Sequence, residues 1–118
     1  MKTRDLLGAQ LDWAVAKAEG DLYPQGDVMV LEGKLFSIEP GDYETSDRWR
    51  KYSPSTDWNL AGPIIEQEGI GLMPSGTAYF ERNGGTFYSY GPTPLVAAMR
   101  CFCVSRLGDE INIPEELL

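Results

Sequence analysis

Gly91-Pro92-Thr93-Pro94-Leu95-Val96-Ala97-Ala98-Met99-Arg100-Cys101-Phe102-Cys103-Val104-Ser105-Arg106-Leu107-Gly108 is the stretch whose reading decides the fold. Gly91-Pro92 breaks any preceding strand, Thr93 is placed as an N-cap, and Pro94 suits a first helical position. The body runs from Leu95 to Leu107, and Gly108 is the expected stop. Leu95, Val96, Met99, Phe102, Cys103 and Leu107 form a broad apolar surface, which predicts a central core helix. Arg106 lies near the C-terminal end, where the helix dipole favours a cation. Arg100 sits inside the apolar stretch. Its guanidinium must reach out to water or find a partner, because burying it alone is very costly. Asp12, Asp57 and Glu66 are the candidate partners.

Working outward, short strands precede this helix. Thr77–Arg82 and Thr86–Tyr90 flank Asn83-Gly84-Gly85, a hairpin with an Asn-Gly turn signal. Val28–Leu31 and Leu35–Ile38 flank Glu32-Gly33-Lys34, a second hairpin. Near the N-terminus, Thr3 can cap a helix from about Arg4 to Glu19, closed by Gly20. Leu7, Leu11, Ala14 or Val15, and Ala18 share one stripe. Trp13 lies roughly 200° from Leu11, on the opposite side with Leu6, Ala9 and Ala16. A helix apolar on both sides is sandwiched between layers or lies at an interface, and sandwiching is the reading preferred here. After the last helix, Glu110–Ile113 alternates and stops at Pro114, which suits an edge strand. The expected fold is α+β: a small, mainly antiparallel sheet on a central C-terminal helix, with an N-terminal helix, in a single domain over 1–118.

Composition supplies exclusions. Among 118 residues there are 18 acidic and 10 basic side chains, a net charge of −8, and no histidine. Ser-His and Cys-His catalysis and most zinc sites are thereby removed. The acidic balance argues against broad binding to a phosphate backbone. No apolar run approaches the ~20 residues that span a bilayer, and the N-terminus does not read as a signal peptide. Cys101 and Cys103, the only cysteines, point to nearly opposite sides of their helix and cannot bond to each other. They read as small buried hydrophobes in a reducing cytoplasm.

Glu39 to about Thr56 is polar, aperiodic and long for a structureless connection. It holds the basic cluster Arg48-Trp49-Arg50-Lys51-Tyr52, whose mixture of cations and aromatics resembles single-strand nucleic-acid sites. Glu39, Asp42, Glu44 and Asp47 lie just upstream and largely cancel its field, so a solvated loop is preferred. Tyr52-Ser53-Pro54-Ser55-Thr56-Asp57-Trp58 follows. Ser55, Thr56 or Asp57 suits the cap of a short helical turn, and Pro63 after Gly62 suits the opening of another helix. The functional alternative is a recognition loop in which Tyr52 and Trp58 give apolar contact and Asp57 a directed acceptor. Its sharper form has Arg100 and Asp57 facing one groove lined by Trp13, Tyr52 and Trp58. Glu66 and Glu68 point about 200° apart on a helix and do not converge. Gly69-Ile70-Gly71 lacks the rest of a dinucleotide fingerprint, and no phosphate loop or nucleophile elbow is present.

Three blocks, Leu11–Gly20, Tyr52–Trp58 with Gly62-Pro63-Ile64-Ile65, and Gly91–Arg100, together with the closing Leu107–Glu110, resemble the NinX-like family of small bacteriophage and prophage proteins. The resemblance spans nearly the whole chain. It implies action in the cytoplasm of a bacterial host and supplies no catalytic residues, because the family carries no assigned molecular function. The segment Gly41–Lys51 and the hairpin near Ser75 match the family blocks poorly, and nothing is carried over to them.

These readings favour an acidic accessory protein that binds another protein. Its candidate binding residues are Trp13, Tyr52, Ser55, Thr56, Asp57, Trp58 and Arg100, with no metal, cofactor or catalytic residue expected. An acidic surface steers toward basic partners. The rivals are a small-ligand binder or enzyme using the Tyr52–Trp58 loop and Arg100, and a weak single-strand nucleic-acid binder using Arg48, Arg50 and Lys51. No membrane partner is expected, nucleic acid is disfavoured, and the second apolar face around Trp13 leaves a homodimer open.

Overall fold

The computed structural model describes residues 1–38, 49–82 and 84–118. Along the chain come α1 (Gly8–Glu19), β1 (Val28–Leu31), β2 (Lys34–Ser37), β3 (Arg50–Lys51), α2 (Trp58–Glu68), β4 (Gly71–Met73), β5 (Thr77–Arg82), β6 (Gly85–Tyr90) and α3 (Pro94–Leu107). The strands form two antiparallel three-stranded sheets, β1-β2-β3 and β4-β5-β6. The fold is α+β, with two small sheets where one is expected from the sequence.

α3 is the central element. The Thr93 hydroxyl accepts the Val96 amide hydrogen at 3.2 Å, Pro94 opens the helix, and Gly108 ends it. Residues Leu95–Met99 and Cys101–Cys103 are buried. A helix buried on nearly all sides must be packed on several elements, and α3 contacts α1, α2 and the whole second sheet. In that sheet Thr77, Ala78, Phe80 and Ser89 are buried, and Phe80 stacks on Phe87 with ring centroids 5.0 Å apart.

The β1–β2 hairpin turns through Glu32 and Gly33, both at positive φ (53° and 75°), between the paired Leu31 and Lys34. Two positive φ values make the tight turn whose twist matches the strands. The aperiodic segment expected from Glu39 to Thr56 divides in two. Residues 39–48, including Arg48, lie outside the described residues. Beyond them the expectation is corrected: Arg50 and Lys51 pair with Ser37 and Phe36, and Trp49 lies 5.8 Å from Phe36 between ring centroids. The ladder and the aromatic contact supply the order that the local sequence does not advertise.

The N-terminal helix starts later than expected. Thr3–Asp5 is a single 3₁₀ turn, Leu6 and Leu7 are extended, and α1 begins at Gly8. Thr3 is not its cap. Its amide donates to the Asp109 carbonyl at 2.9 Å and its hydroxyl to the Gly108 carbonyl at 2.7 Å. Leu7 is accordingly 49% exposed rather than on the apolar stripe. The same pairing replaces the edge strand expected at Glu110–Ile113: Lys2 bridges Glu110, and Ile111 donates to the Met1 carbonyl. Within α1, every residue from Leu11 to Ala16 is buried. The helix is sandwiched.

α2 runs unbroken through Pro63 instead of restarting there. Ala61 and Ile64, three residues apart, bury the same face, which a break at Pro63 would divide. β4 is a strand that sequence reading does not anticipate. Glu68, at the end of α2, pairs with Arg106 of α3 and lies 3.8 Å from Arg82 of β5. Among the described residues, no helix is long and apolar enough to cross a membrane.

Candidate functional site

The turn between β3 and α2 is fastened to α1 from below. The buried Asp12 carboxylate accepts the Ser55 backbone amide hydrogen at 2.8 Å. Burial pushes the Asp12 carboxyl above the usual aspartate range, opposed by hydrogen bonding from Ser55 and by the charge of Lys51. Ser53, Pro54 and Ser55 are buried, and Thr56 folds back on the Ser53 carbonyl. Asp57 then caps α2: its carboxylate accepts the Asn59 amide hydrogen at 2.9 Å. A cap at Asp57 and a buried anchor at Ser55, two residues apart, hold the first residue of α2, Trp58, where 54% of it faces solvent.

Beside Trp58 lies an open cleft of ≈ 260 Å³, lined by Ser55, Thr56 and Trp58 from the turn and by Thr93, Pro94 and Leu95 from the start of α3. Its walls are mostly apolar, and it carries no titratable side chain. The turn supplies an aromatic flank and α3 an aliphatic floor. Such a surface can hold an apolar group against Trp58, with hydroxyls at its edge to orient it.

The seven expected binding residues divide between several places. Ser55, Thr56 and Trp58 line the cleft, and Asp57 builds it by capping α2. Tyr52 is in the core, its hydroxyl held far from ionisation by burial and by Asp21 and Glu19. Trp13 is 8% exposed, with the Lys17 ammonium 5.1 Å from its ring centroid, and it borders a separate hollow with Tyr23, Val28 and Met29. Arg100 ties the stretch before α1 to the end of β6. Its Nε donates to the Leu6 carbonyl and its Nη1 to the Tyr90 carbonyl, both at 2.8 Å. Among the described residues none of Asp12, Asp57 and Glu66 pairs with it; burial lowers its pKa and Asp5 opposes that. Neutral carbonyls suffice because the guanidinium stays only partly buried.

The model of the family described as Bacteriophage P22, NinX, matches residues 2–106. The chain belongs to the P22 NinX family. Membership makes it a phage accessory protein and assigns no residue a role. A comparison with curated proteins returns no match.

For this NinX family member, sequence reading missed two features. Thr93, Pro94 and Leu95 are legible as a helix start, but nothing local says that they face Trp58. The second is an aromatic sheet face. The alternation in Thr86-Phe87-Tyr88-Ser89-Tyr90 places Tyr88 and Tyr90 on one side, and the register sets Tyr79 opposite Tyr88, with ring centroids 6.2 Å apart. That period-two signal was available. Among the described residues, no group of three or more acidic or cysteine side chains could hold a metal ion.

Proposed function

We propose that this phage accessory protein is a small acidic protein-binding module of the host cytoplasm, which takes an apolar side chain of a partner protein into the cleft beside Trp58. The observation that carries the reading is the exposed Trp58 flanking an apolar cleft, on a turn bonded to Asp12 and capped by Asp57. Large aromatics are costly to leave in water, and tryptophan is prominent among the residues that dominate binding energy at protein interfaces. Here the Asp57 cap and the Asp12–Ser55 bond immobilise the turn before any partner arrives, which reduces the ordering cost of association.

The cleft size favours this reading over a small-ligand site or an enzyme. At ≈ 260 Å³ it falls below the roughly 300–1,000 Å³ of drug-sized ligand sites. It suits one side chain. No general base or nucleophile with a displaced pKa borders it, and Asp57 spends its carboxylate on the helix cap.

Affinity capture from bacterial extract with the wild type and Trp58→Ala side by side tests the proposal. A protein retained by the wild type and lost with Trp58→Ala supports it. Identical retention by the two, or no retained protein in uninfected and phage-infected extracts alike, defeats it.

A further inference from the structure

The second sheet has two unlike faces. α3 packs on the face carrying Ala78, Phe80 and Ser89, which are buried. Strand alternation and register put Met73, Thr77, Tyr79, Glu81, Tyr88 and Tyr90 on the other. Thr77, between Met73 and Tyr90, is buried, but the face is open around it: Tyr88 is 56% exposed, Tyr90 67% and Met73 42%. The Tyr79 ring lies directly across the Gly71 backbone, in space that any side chain at 71 would occupy. Three tyrosines thus form a platform, one of them laid flat by a glycine.

We infer that this face is a second interaction surface, and that it takes an extended basic segment of a partner protein with arginine or lysine at alternate positions. Three observations select that occupant. First, exposed tyrosine rings attract cations through their electron-rich faces, and guanidinium groups stack on them especially well. Second, Glu81 is the charged side chain among the described strand residues of this face, and the whole chain carries −8. That field draws in a cationic segment, repels nucleic-acid phosphates, and opposes a second copy of the same acidic chain. Third, Tyr88 and Tyr90 are two residues apart on one strand, so their side chains emerge roughly 6.7 Å apart. An extended peptide repeats its side chains at the same interval, so alternate cations come into register with successive rings.

The surface is independent of the Trp58 cleft, and the experiment separates them. The probes are an alternating arginine–threonine octapeptide, an octapeptide of the same composition with its arginines in adjacent pairs, and an oligothymidylate of comparable length. Each is titrated into the full chain and followed by aromatic NMR shifts. The alternating peptide is expected to shift the Tyr88 and Tyr90 ring signals, to bind more tightly than the paired-arginine peptide, and to weaken as salt is added. Combined Tyr88→Ala and Tyr90→Ala should weaken it roughly fivefold or more, from the loss of two exposed cation–π contacts. Both side chains are largely in solvent, so folding should survive, and Glu81→Lys gives a second reading through charge alone by also weakening the peptide. Trp58→Ala should change nothing. The inference is overturned if the alternating peptide leaves Tyr88 and Tyr90 unshifted, if the two octapeptides bind alike, if oligothymidylate binds the same face as tightly, or if Glu81→Lys has no effect.

Discussion

The buried carboxylate of Asp12 on α1 holds the backbone amide of Ser55, 43 positions along the chain, at 2.8 Å. This single bond sets the height of the turn that presents Trp58. It also places an ionisable group in the core, where its charge is disfavoured.

Asp12→Ala leaves the buried Ser55 amide without an acceptor and should destabilise the fold by about 1–3 kcal/mol. Asp12→Asn keeps an acceptor oxygen and should cost less at neutral pH. The two variants also separate through acidity. The folded carboxyl has a raised pKa, so the native state keeps its proton to higher pH than the unfolded chain. Its stabilising contribution is fully present below the unfolded value of about 4, and it is lost as pH rises through the folded value. Denaturant melts between pH 4 and 7 should show the wild type losing stability relative to Asp12→Asn as pH rises.

Arg100 holds the carbonyl of Leu6, in the extended stretch before α1, and that of Tyr90, at the end of β6. Arg100→Ala removes two charge-assisted bonds and should cost about 1.5–3 kcal/mol. Arg100→Lys has one compact ammonium in place of a planar fork and should recover only part of that. A denaturant series on the three proteins checks it: equal midpoints would mean that the two bonds contribute nothing net.

α3 could be read almost to the residue because its signals are local: a capping threonine, a proline at the first turn, and a terminal glycine. The hairpins were legible for the same reason. What could not be read depends on partners distant in sequence. Thr3 has every mark of a cap, yet Gly108 and Asp109 claim it from the other end of the chain. Arg50 and Lys51 look like part of a charged loop until β2 supplies a ladder. The candidate site divides along the same line. Trp58 and its cap follow from the sequence, whereas the opposing wall at Thr93–Leu95 is set by how α2 meets α3. Tyr52, read as a contact residue, was claimed by the core.

Cys101 and Cys103 are free and buried. Burial lifts the Cys101 thiol to about 11, and the Cys103 thiol further. With a pKa near 11, about a thousandth of Cys101 is thiolate at pH 8, and the thiolate is the reactive form. Both cysteines should therefore react slowly with a disulfide reagent in the native protein. In denaturant, with pKa values returning to about 8.5, they should react promptly. Two thiols titrating at once in native buffer would show that α3 is readily opened.

Gly71→Ala tests how Tyr79 is held. A methyl group there would overlap Cζ and Cε1 of the Tyr79 ring. What must give way is the far end of a half-buried side chain rather than backbone, so the expected cost is modest, about 1 kcal/mol and at the low end for overpacking. The ring should lift off the strand and away from its present 6.2 Å separation from Tyr88. Cross-relaxation between the two rings reads that movement directly, and a thermal melt reads the cost. A large loss of stability with the ring contact intact would mean that residue 71 is constrained by the backbone of β4 instead. Retained stability with a weakened Tyr79–Tyr88 contact would mean that the glycine serves the flatness of the aromatic face, and that the fold tolerates its replacement.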